Sequence, residues 1–197
     1  MKRRPVPIFI LLTALAGMSF LTGGCAGGGS EAEYPFKDGD YFIFEKKPPQ
    51  SGITIFYEFR IESTGSGFTV RRFQEAEAPS GEKSRTEITH SEKVYDRYGR
   101  LLRLADGRAA GRCRGNYCFL WIKPGTRSAG SKIKISEIAV PLTVEQPLML
   151  DGRRVLPIYY GNSKYYYDAE TGLLVDRGTL GKLTDTNRRD LLCKQSP

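Results

Sequence analysis

Apolar and polar residues alternate one by one along several short segments of this chain. The clearest of these segments is 53–63, in which Ile55, Tyr57, Phe59 and Ile61 occupy alternate positions. A period of two places these side chains on one face of a β-strand and the charged residues of 58–62 on the other face. A Gly/Ser-rich turn at 64–67 and a returning strand at 68–74 follow, so the pattern predicts a β-hairpin.

Similar segments recur along the chain, separated by turns rich in Gly, Pro, Asn and Asp. Further strands are predicted at 41–45, 117–122, 133–140, 154–160, 165–168 and 173–180, with a strand–turn–strand unit at 94–102. Residues 75–84 are predicted to form a polar loop, and the only candidate helix is 185–193. Because strands joined by short turns pair antiparallel, we predict a mainly β fold. It would be an antiparallel curved sheet, or a small barrel or sandwich, with a short C-terminal helix at most.

One turn sequence occurs twice. The first copy runs from Tyr95-Asp96 through Gly99 to Leu101-Leu102, and the second from Tyr167-Asp168 through Gly172 to Leu173-Leu174. Aspartate and glycine supply the backbone conformations that tight turns need. The repeated sequence therefore predicts that one kind of hairpin is used in two places.

The N-terminus has the layout of a secretory signal. Three cations, Lys2, Arg3 and Arg4, precede an apolar segment at 8–21, and small residues follow up to Cys25. The apolar segment is shorter than the roughly 20 residues that a membrane-spanning helix needs. The pattern therefore predicts a removable leader over residues 1–24.

The residues Leu21-Thr22-Gly23-Gly24-Cys25 resemble the lipobox of bacterial lipoproteins. This resemblance implies that the peptide bond before Cys25 is cut and that Cys25 is acylated, so that several acyl chains anchor the protein stably. Ala26 follows the cysteine where aspartate would retain a lipoprotein at the inner membrane, which implies the outer membrane, facing the periplasm. The alternative is an ordinary secretory signal that is cleaved near a cysteine.

The organisation expected from these patterns has three parts. Residues 1–24 form the lipoprotein signal peptide, residues 25–34 a flexible Gly/Ser tether, and residues 35–197 a single β-rich domain. The C-terminal hairpin, Tyr167-Asp168 through Thr171-Gly172-Leu173-Leu174, is weakly similar to that of uncharacterised β-rich envelope lipoproteins. That likeness implies no particular activity.

The charge distribution bears on nucleic-acid binding, and the cysteines bear on disulfide formation. The formal net charge is +8, but the basic residues are scattered, so no nucleic-acid partner is predicted.

Besides Cys25 the chain contains Cys113, Cys118 and Cys193. Cys113 and Cys118 flank a Gly-Asn pair that suits a tight turn, and the expected compartment is oxidising, so a disulfide between them is predicted. The alternative is that all three thiols are reduced.

The sequence contains no recognisable catalytic constellation. The only histidine, His90, lies in a polar segment, and neither a nucleophile elbow nor a phosphate-binding loop is present. No metal and no cofactor are predicted.

The most distinctive local feature is a group of five tyrosines: Tyr159, Tyr160, Tyr165, Tyr166 and Tyr167. They are a candidate aromatic surface for a glycan, an apolar ligand or a protein partner, and the alternative is packing inside strands.

We therefore expect a lipid-anchored envelope protein that binds a protein partner or assembly and has no catalytic activity. The first alternative is a periplasmic carrier or binder of a lipid or other apolar ligand. The second is an envelope hydrolase, although no pair of carboxylates is marked by the sequence. An apolar cavity would favour the carrier, a flat exposed tyrosine patch the partner-binding protein, and converging carboxylates with raised pKa values the enzyme.

Overall fold

The structure, a computed structural model, describes residues 32–88, 93–138 and 140–192. These residues form thirteen β-strands, and their helical conformation is limited to short 3-10 turns at 111–115, 124–126 and 189–191. The mainly β prediction is confirmed. The strands are β1 (Tyr41–Lys46), β2 (Thr54–Thr64), β3 (Gly67–Glu77), β4 (Lys83–Glu87), β5 (Val94–Tyr95), β6 (Leu101–Arg103), β7 (Lys132–Ile133), β8 (Leu142–Thr143), β9 (Leu148–Leu150), β10 (Arg153–Tyr160), β11 (Ser163–Asp168), β12 (Leu174–Arg177) and β13 (Gly181–Thr186).

Eleven of these strands form one antiparallel sheet. Its order is β6-β5-β3-β2-β1-β13-β12-β11-β10-β9, with β4 added beside β3, while β7 and β8 form a separate two-stranded sheet. Among the described residues the terminal strands β6 and β9 do not pair with each other, so the sheet is open and the barrel alternative does not apply.

The β2–β3 hairpin is longer than its apolar pattern predicts. Its pairing runs from Thr54 opposite Glu77 to Thr64 opposite Gly67. Residues 75–77 therefore belong to β3, and β4 occupies the end of the predicted loop. These strands carry charged side chains because one face of an antiparallel sheet is open to water. Ion pairs connect the strands there, for example Lys83 Nζ to Glu75 Oε1 at 3.2 Å.

The predicted C-terminal helix over 185–193 does not begin where its pattern suggests. Asp185 and Thr186 complete β13, which pairs with β1, and the only helical conformation described after them is the turn at 189–191. Thr186 Oγ1 donates a hydrogen bond to the Tyr41 carbonyl oxygen at 2.6 Å. Pairing with a distant strand satisfies this backbone and overrides the local helical preference.

The repeated turn sequence forms a similar Asp–Gly hairpin twice, as predicted, and the second turn is one residue longer than the first. The Gly99 amide donates to the Asp96 carbonyl oxygen, and the Gly172 amide donates to the Asp168 carbonyl oxygen, both at 2.8 Å. Both glycines have a left-handed φ, +76° and +75°, which glycine adopts without steric penalty. We call the hairpin at 95–102 the first Asp hairpin and the one at 167–174 the second Asp hairpin.

The two Asp hairpins hold residues 116–122, which we call the central segment. In the first hairpin, the Leu101 amide donates to the Asn116 carbonyl oxygen, and in the second, the Leu174 amide donates to the Leu120 carbonyl oxygen, both at 2.9 Å. Because β6 and β12 are far apart in strand order yet bond to the same segment, the sheet curves around it.

The central segment lies in the hydrophobic core. Cys118, Leu120, Trp121 and Ile122 are all buried. Two buried tyrosines bind its carbonyl oxygens: Tyr34 Oη donates to that of Cys118 at 2.6 Å, and Tyr167 Oη donates to that of Phe119 at 2.8 Å. This segment was predicted to be a strand. It is instead an extended segment held by isolated β-bridges and by tyrosine hydroxyl groups, and it lies inside the curved sheet.

Candidate ligand-binding pocket

The five tyrosines do not share one surface. Tyr165 and Tyr167 are 1% and 0% exposed and belong to the core. Tyr166 points to the opposite face of β11, where its ring lies edge-on to that of Tyr159 with centroids 6.4 Å apart. Tyr159 and Tyr160 are exposed. Alternation along a strand explains the division, since neighbouring side chains point to opposite faces.

Exposed apolar side chains remain at two separate places on this part of the sheet. Leu148 and Met149 on β9 are exposed beside the first residues of β10. Tyr159 and Tyr160 are exposed at the other end of β10, where that strand pairs with β11. Neither pair is the five-tyrosine surface that the sequence suggested.

The disulfide predicted between Cys113 and Cys118 is absent from the structure, where both thiols are free. Cys113 lies in the 3-10 turn at 111–115, and the Asn116 amide donates to its carbonyl oxygen. Cys118 lies in the central segment, so the two residues do not face each other across a hairpin. Burial raises the pKa of the Cys118 thiol to about 12, which keeps it protonated at neutral pH. Cys25, Cys193 and His90 lie outside the described residues.

The carboxylates Asp151 and Asp176 line a cavity of about 230 Å³. Burial, and then the charge of Asp151, raises the pKa of Asp176, whereas Lys182 lowers it. Lys182 Nζ lies 2.5 Å from Asp151 Oδ2, and both of these side chains are more than half exposed. An exposed carboxylate with its own ammonium partner is neither a shielded acid nor an activated base. No group of three or more metal-ligating side chains occurs among the described residues.

An apolar cavity lies beside the end of the central segment. Its volume is about 320 Å³, which is at the small end of the roughly 300–1,000 Å³ range of ligand pockets. It is lined by Gly115, Tyr117, Trp121, Ile122, Lys123, Thr126, Lys132, Ile133, Lys134, Ile135 and Pro141. We call it the lysine-rimmed pocket.

Alternation along 132–135 builds one side of this pocket. Ile133 and Ile135 are buried, whereas Lys132 is exposed and Lys134 is half-buried. The segment runs beside the central segment, where the Tyr117 amide donates to the Lys134 carbonyl oxygen at 2.8 Å. The isoleucines therefore contribute to the apolar wall while the lysines stay near solvent.

The rim of the pocket is cationic. Lys123 Nζ donates to Tyr117 Oη at 3.0 Å and also lies 4.9 Å from the centre of the Tyr117 ring. Lys132 Nζ donates to Thr143 Oγ1 at 2.5 Å. Among the described residues, no carboxylate pairs with Lys123, Lys132 or Lys134, and none lines the pocket. Three lysines therefore line an apolar cavity without a carboxylate partner among the described residues.

The back of the pocket is fixed to the second Asp hairpin. Trp121, the only tryptophan of the chain, donates from Nε1 to the Thr171 carbonyl oxygen at 2.7 Å. The Arg127 guanidinium lies 5.4 Å from the Trp121 ring centre, and its Nε donates to the Ile122 carbonyl oxygen at 3.0 Å. Arg127 also donates to the Glu170 carbonyl oxygen. These contacts hold the wall in place, so the cavity is preformed.

This pocket was not predicted from the sequence. The available signals were the Lys-Ile-Lys-Ile alternation at 132–135 and the single tryptophan at position 121. Each is unremarkable alone, because alternating residues are common in strands and a tryptophan usually belongs to the core. Only the folded chain brings them together.

No helix in the described ranges is both long and apolar enough to cross a membrane. In comparisons with known proteins, no family, no curated protein and no solved structure matches this chain.

Proposed function

We propose that this chain is a lipid-anchored protein of a bacterial envelope that acts by binding, without catalysis, and that its lysine-rimmed pocket holds a small apolar ligand. The observation that carries the proposal is the preformed cavity of about 320 Å³, whose walls are aromatic and aliphatic. Pockets of this kind, with few polar groups, are typical of small-molecule sites.

The anchoring part of the proposal rests on the N-terminal sequence. Lys2, Arg3 and Arg4, the apolar segment at 8–21 and the lipobox-like residues before Cys25 stand in the order of a lipoprotein signal. Ala26 favours the outer membrane, on its periplasmic side. The glycines after Ala26 would let the folded domain stand away from the lipid surface.

Intact-mass measurement of protein extracted gently from its own envelope tests the anchor. We expect a chain that begins at Cys25 and carries acyl chains. An unacylated mature chain would remove the anchor from the proposal. The same measurement before and after reduction tests the disulfide: the free thiols of Cys113 and Cys118 predict no gain of two hydrogens within the chain.

Filling the pocket tests the binding role. Gly115 lines the cavity, its added Cβ would meet nothing within 4 Å, and its φ is not left-handed. Gly115→Leu should therefore add a large side chain at the cavity lining without backbone strain. For the full chain in lipid nanodiscs, we expect saturable binding of octanoate, seen as a change in Trp121 fluorescence, and a weakening of at least about tenfold in the variant.

Gly65→Leu is the matched control for this variant. Gly65 lies in the turn between β2 and β3, and a Cβ there also meets nothing within 4 Å. It should bind octanoate like the unmodified chain, and equal binding by all three proteins would contradict a ligand in this pocket.

A second candidate function is docking of an envelope protein partner. The exposed side chains of Tyr159 and Tyr160 at the end of β10 favour it. Tyr159→Lys together with Tyr160→Lys would disrupt such a contact while leaving the lysine-rimmed pocket unchanged. The two roles are therefore separable by mutation.

A further inference from the structure

We infer that the ligand of the lysine-rimmed pocket carries an anionic head group, a carboxylate or a phosphate, which Lys123, Lys132 and Lys134 bind at the rim while a single apolar chain enters the cavity. This inference rests on the proposed function, because it assigns the ligand class of the same pocket.

The rim lysines differ from several other lysines of the chain in their partners. Lys47, Lys83 and Lys182 each form an ion pair, at 2.6 Å with Glu45, 3.2 Å with Glu75 and 2.5 Å with Asp151. Lys123 and Lys132 donate to neutral hydroxyl oxygens, and among the described residues no carboxylate pairs with either of them or with Lys134. Lys37 and Lys164 are also exposed without a carboxylate partner among the described residues, but neither lines this pocket. What distinguishes the three rim lysines is therefore that they line one apolar cavity together.

Electrostatic repulsion among the rim lysines also favours an anionic ligand. Like charges gathered at one rim repel one another, and the low-dielectric wall beneath them screens that repulsion less than water does. An anion at the rim would remove the repulsion and add charge-assisted hydrogen bonds from ammonium groups. A neutral ligand would leave the repulsion in place, and a cationic ligand would increase it.

The size and the walls of the cavity indicate the shape of the ligand. The apolar walls formed by Trp121, Ile133 and Ile135 suit a hydrocarbon body, while the lysines stand at the solvent side. A cavity of about 320 Å³ is small for a ligand pocket, so one short chain fits better than a lipid with two long chains. Lysine ammonium groups act as flexible point charges, so the rim suits a carboxylate as well as a phosphate.

The test measures binding of four probes that share an eight-carbon chain: octanoate, octyl phosphate, octanol and octylammonium. The full chain in lipid nanodiscs is titrated with each probe, and Trp121 fluorescence reports binding. We expect octanoate and octyl phosphate to bind about tenfold more tightly than octanol, and octylammonium to bind most weakly. A preference for one of the two anions would separate a carboxylate source from a phosphate source.

Substitution of the three rim lysines by glutamine should abolish this discrimination. In the triple variant K123Q/K132Q/K134Q, octanoate and octanol should bind within about twofold of each other, because octanol binding depends only on the unchanged apolar wall. The control is K37Q/K47Q/K164Q, which removes the same charge from exposed positions that do not line this pocket. It should keep the tenfold preference.

Salt provides an independent readout. The rim lysines are near solvent, so raising the ionic strength should reduce the preference for octanoate over octanol and leave octanol binding unchanged. Equal binding of octanoate and octanol by the unmodified chain would overturn the anionic head group while leaving an apolar ligand in place. The absence of any binding by all four probes would overturn the proposed function and this inference together.

Discussion

Replacing Asp168 by alanine is expected to lower the free energy of unfolding by about 4 kcal/mol, because it removes a buried, hydrogen-bonded charge. The Asp168 side chain is 0% exposed. Its Oδ1 accepts from the Glu170 amide at 3.1 Å, the Thr171 amide at 2.9 Å and Thr171 Oγ1 at 3.0 Å. Its Oδ2 accepts from Arg153 Nη1 at 3.4 Å. The variant leaves several donors and one guanidinium without their partner.

Asp96 of the first Asp hairpin is the natural comparison, because it occupies the same turn position. Its Oδ1 accepts from the Tyr98 and Arg100 amides, both at 2.9 Å, and its side chain remains 14% exposed. Water can therefore replace part of what is lost, and Asp96→Ala should cost only about 2 kcal/mol. Denaturant unfolding followed by far-UV circular dichroism measures both values. A smaller loss for Asp168→Ala than for Asp96→Ala would show that burial does not set the effect.

The sequence was sufficient for the elements whose apolar side chains face the core. In β2, burial of Phe59 and Ile61 produces the period of two that predicted the strand. The repeated Asp hairpins were recognisable because their turn geometry is local, depending on one aspartate and one left-handed glycine. Such features depend on residues that are neighbours along the chain.

Elements that depend on distant pairing were not predictable in the same way. β13 contains a single large apolar residue, Leu183, and its strand conformation depends on pairing with β1 from the other end of the chain. β4 is exposed along its whole length and pairs only with β3. Without a buried face, neither strand carries the periodic signal on which sequence interpretation depends.

The candidate site shows the same limit. Its wall combines Trp121 from the central segment with Ile133 and Ile135 from a separate segment, and its rim includes lysines from both sides. Which tyrosines are buried together could be predicted more easily from the sequence, because Tyr165 and Tyr167 must point away from Tyr166 on one strand. Composition identified the cluster of tyrosines, but the period of two determines which of them reach the surface.

Replacing Gly172 by alanine is expected to lower the free energy of unfolding by about 4 kcal/mol, since steric overlap adds to backbone strain. An added Cβ would lie 2.2 Å from the Ile122 carbonyl oxygen and 2.5 Å from Arg127 Nε. The carbonyl oxygen belongs to the central segment, which is held from both sides and cannot move away freely. The φ of +75° adds a penalty for any side chain.

Gly161→Ala separates these two contributions. Gly161 also has a left-handed φ, +54°, but nothing lies within 4 Å of its added Cβ. We therefore expect a loss of only about 1 kcal/mol, the penalty of the backbone conformation alone. Thermal and denaturant unfolding of the two variants measures the difference. If the two losses were equal, the contact with Ile122 would have no weight in the stability of the fold.

Gly172→Ala should also weaken the lysine-rimmed pocket when measured under conditions in which the variant remains folded. The Ile122 amide donates to the Gly172 carbonyl oxygen at 2.9 Å, and Arg127 binds the Ile122 carbonyl oxygen that the new methyl group would displace. Ile122 and Trp121 are part of the pocket wall. Octanoate binding should therefore fall in Gly172→Ala and stay unchanged in Gly161→Ala, because only the first variant disturbs the junction between the second Asp hairpin and the central segment.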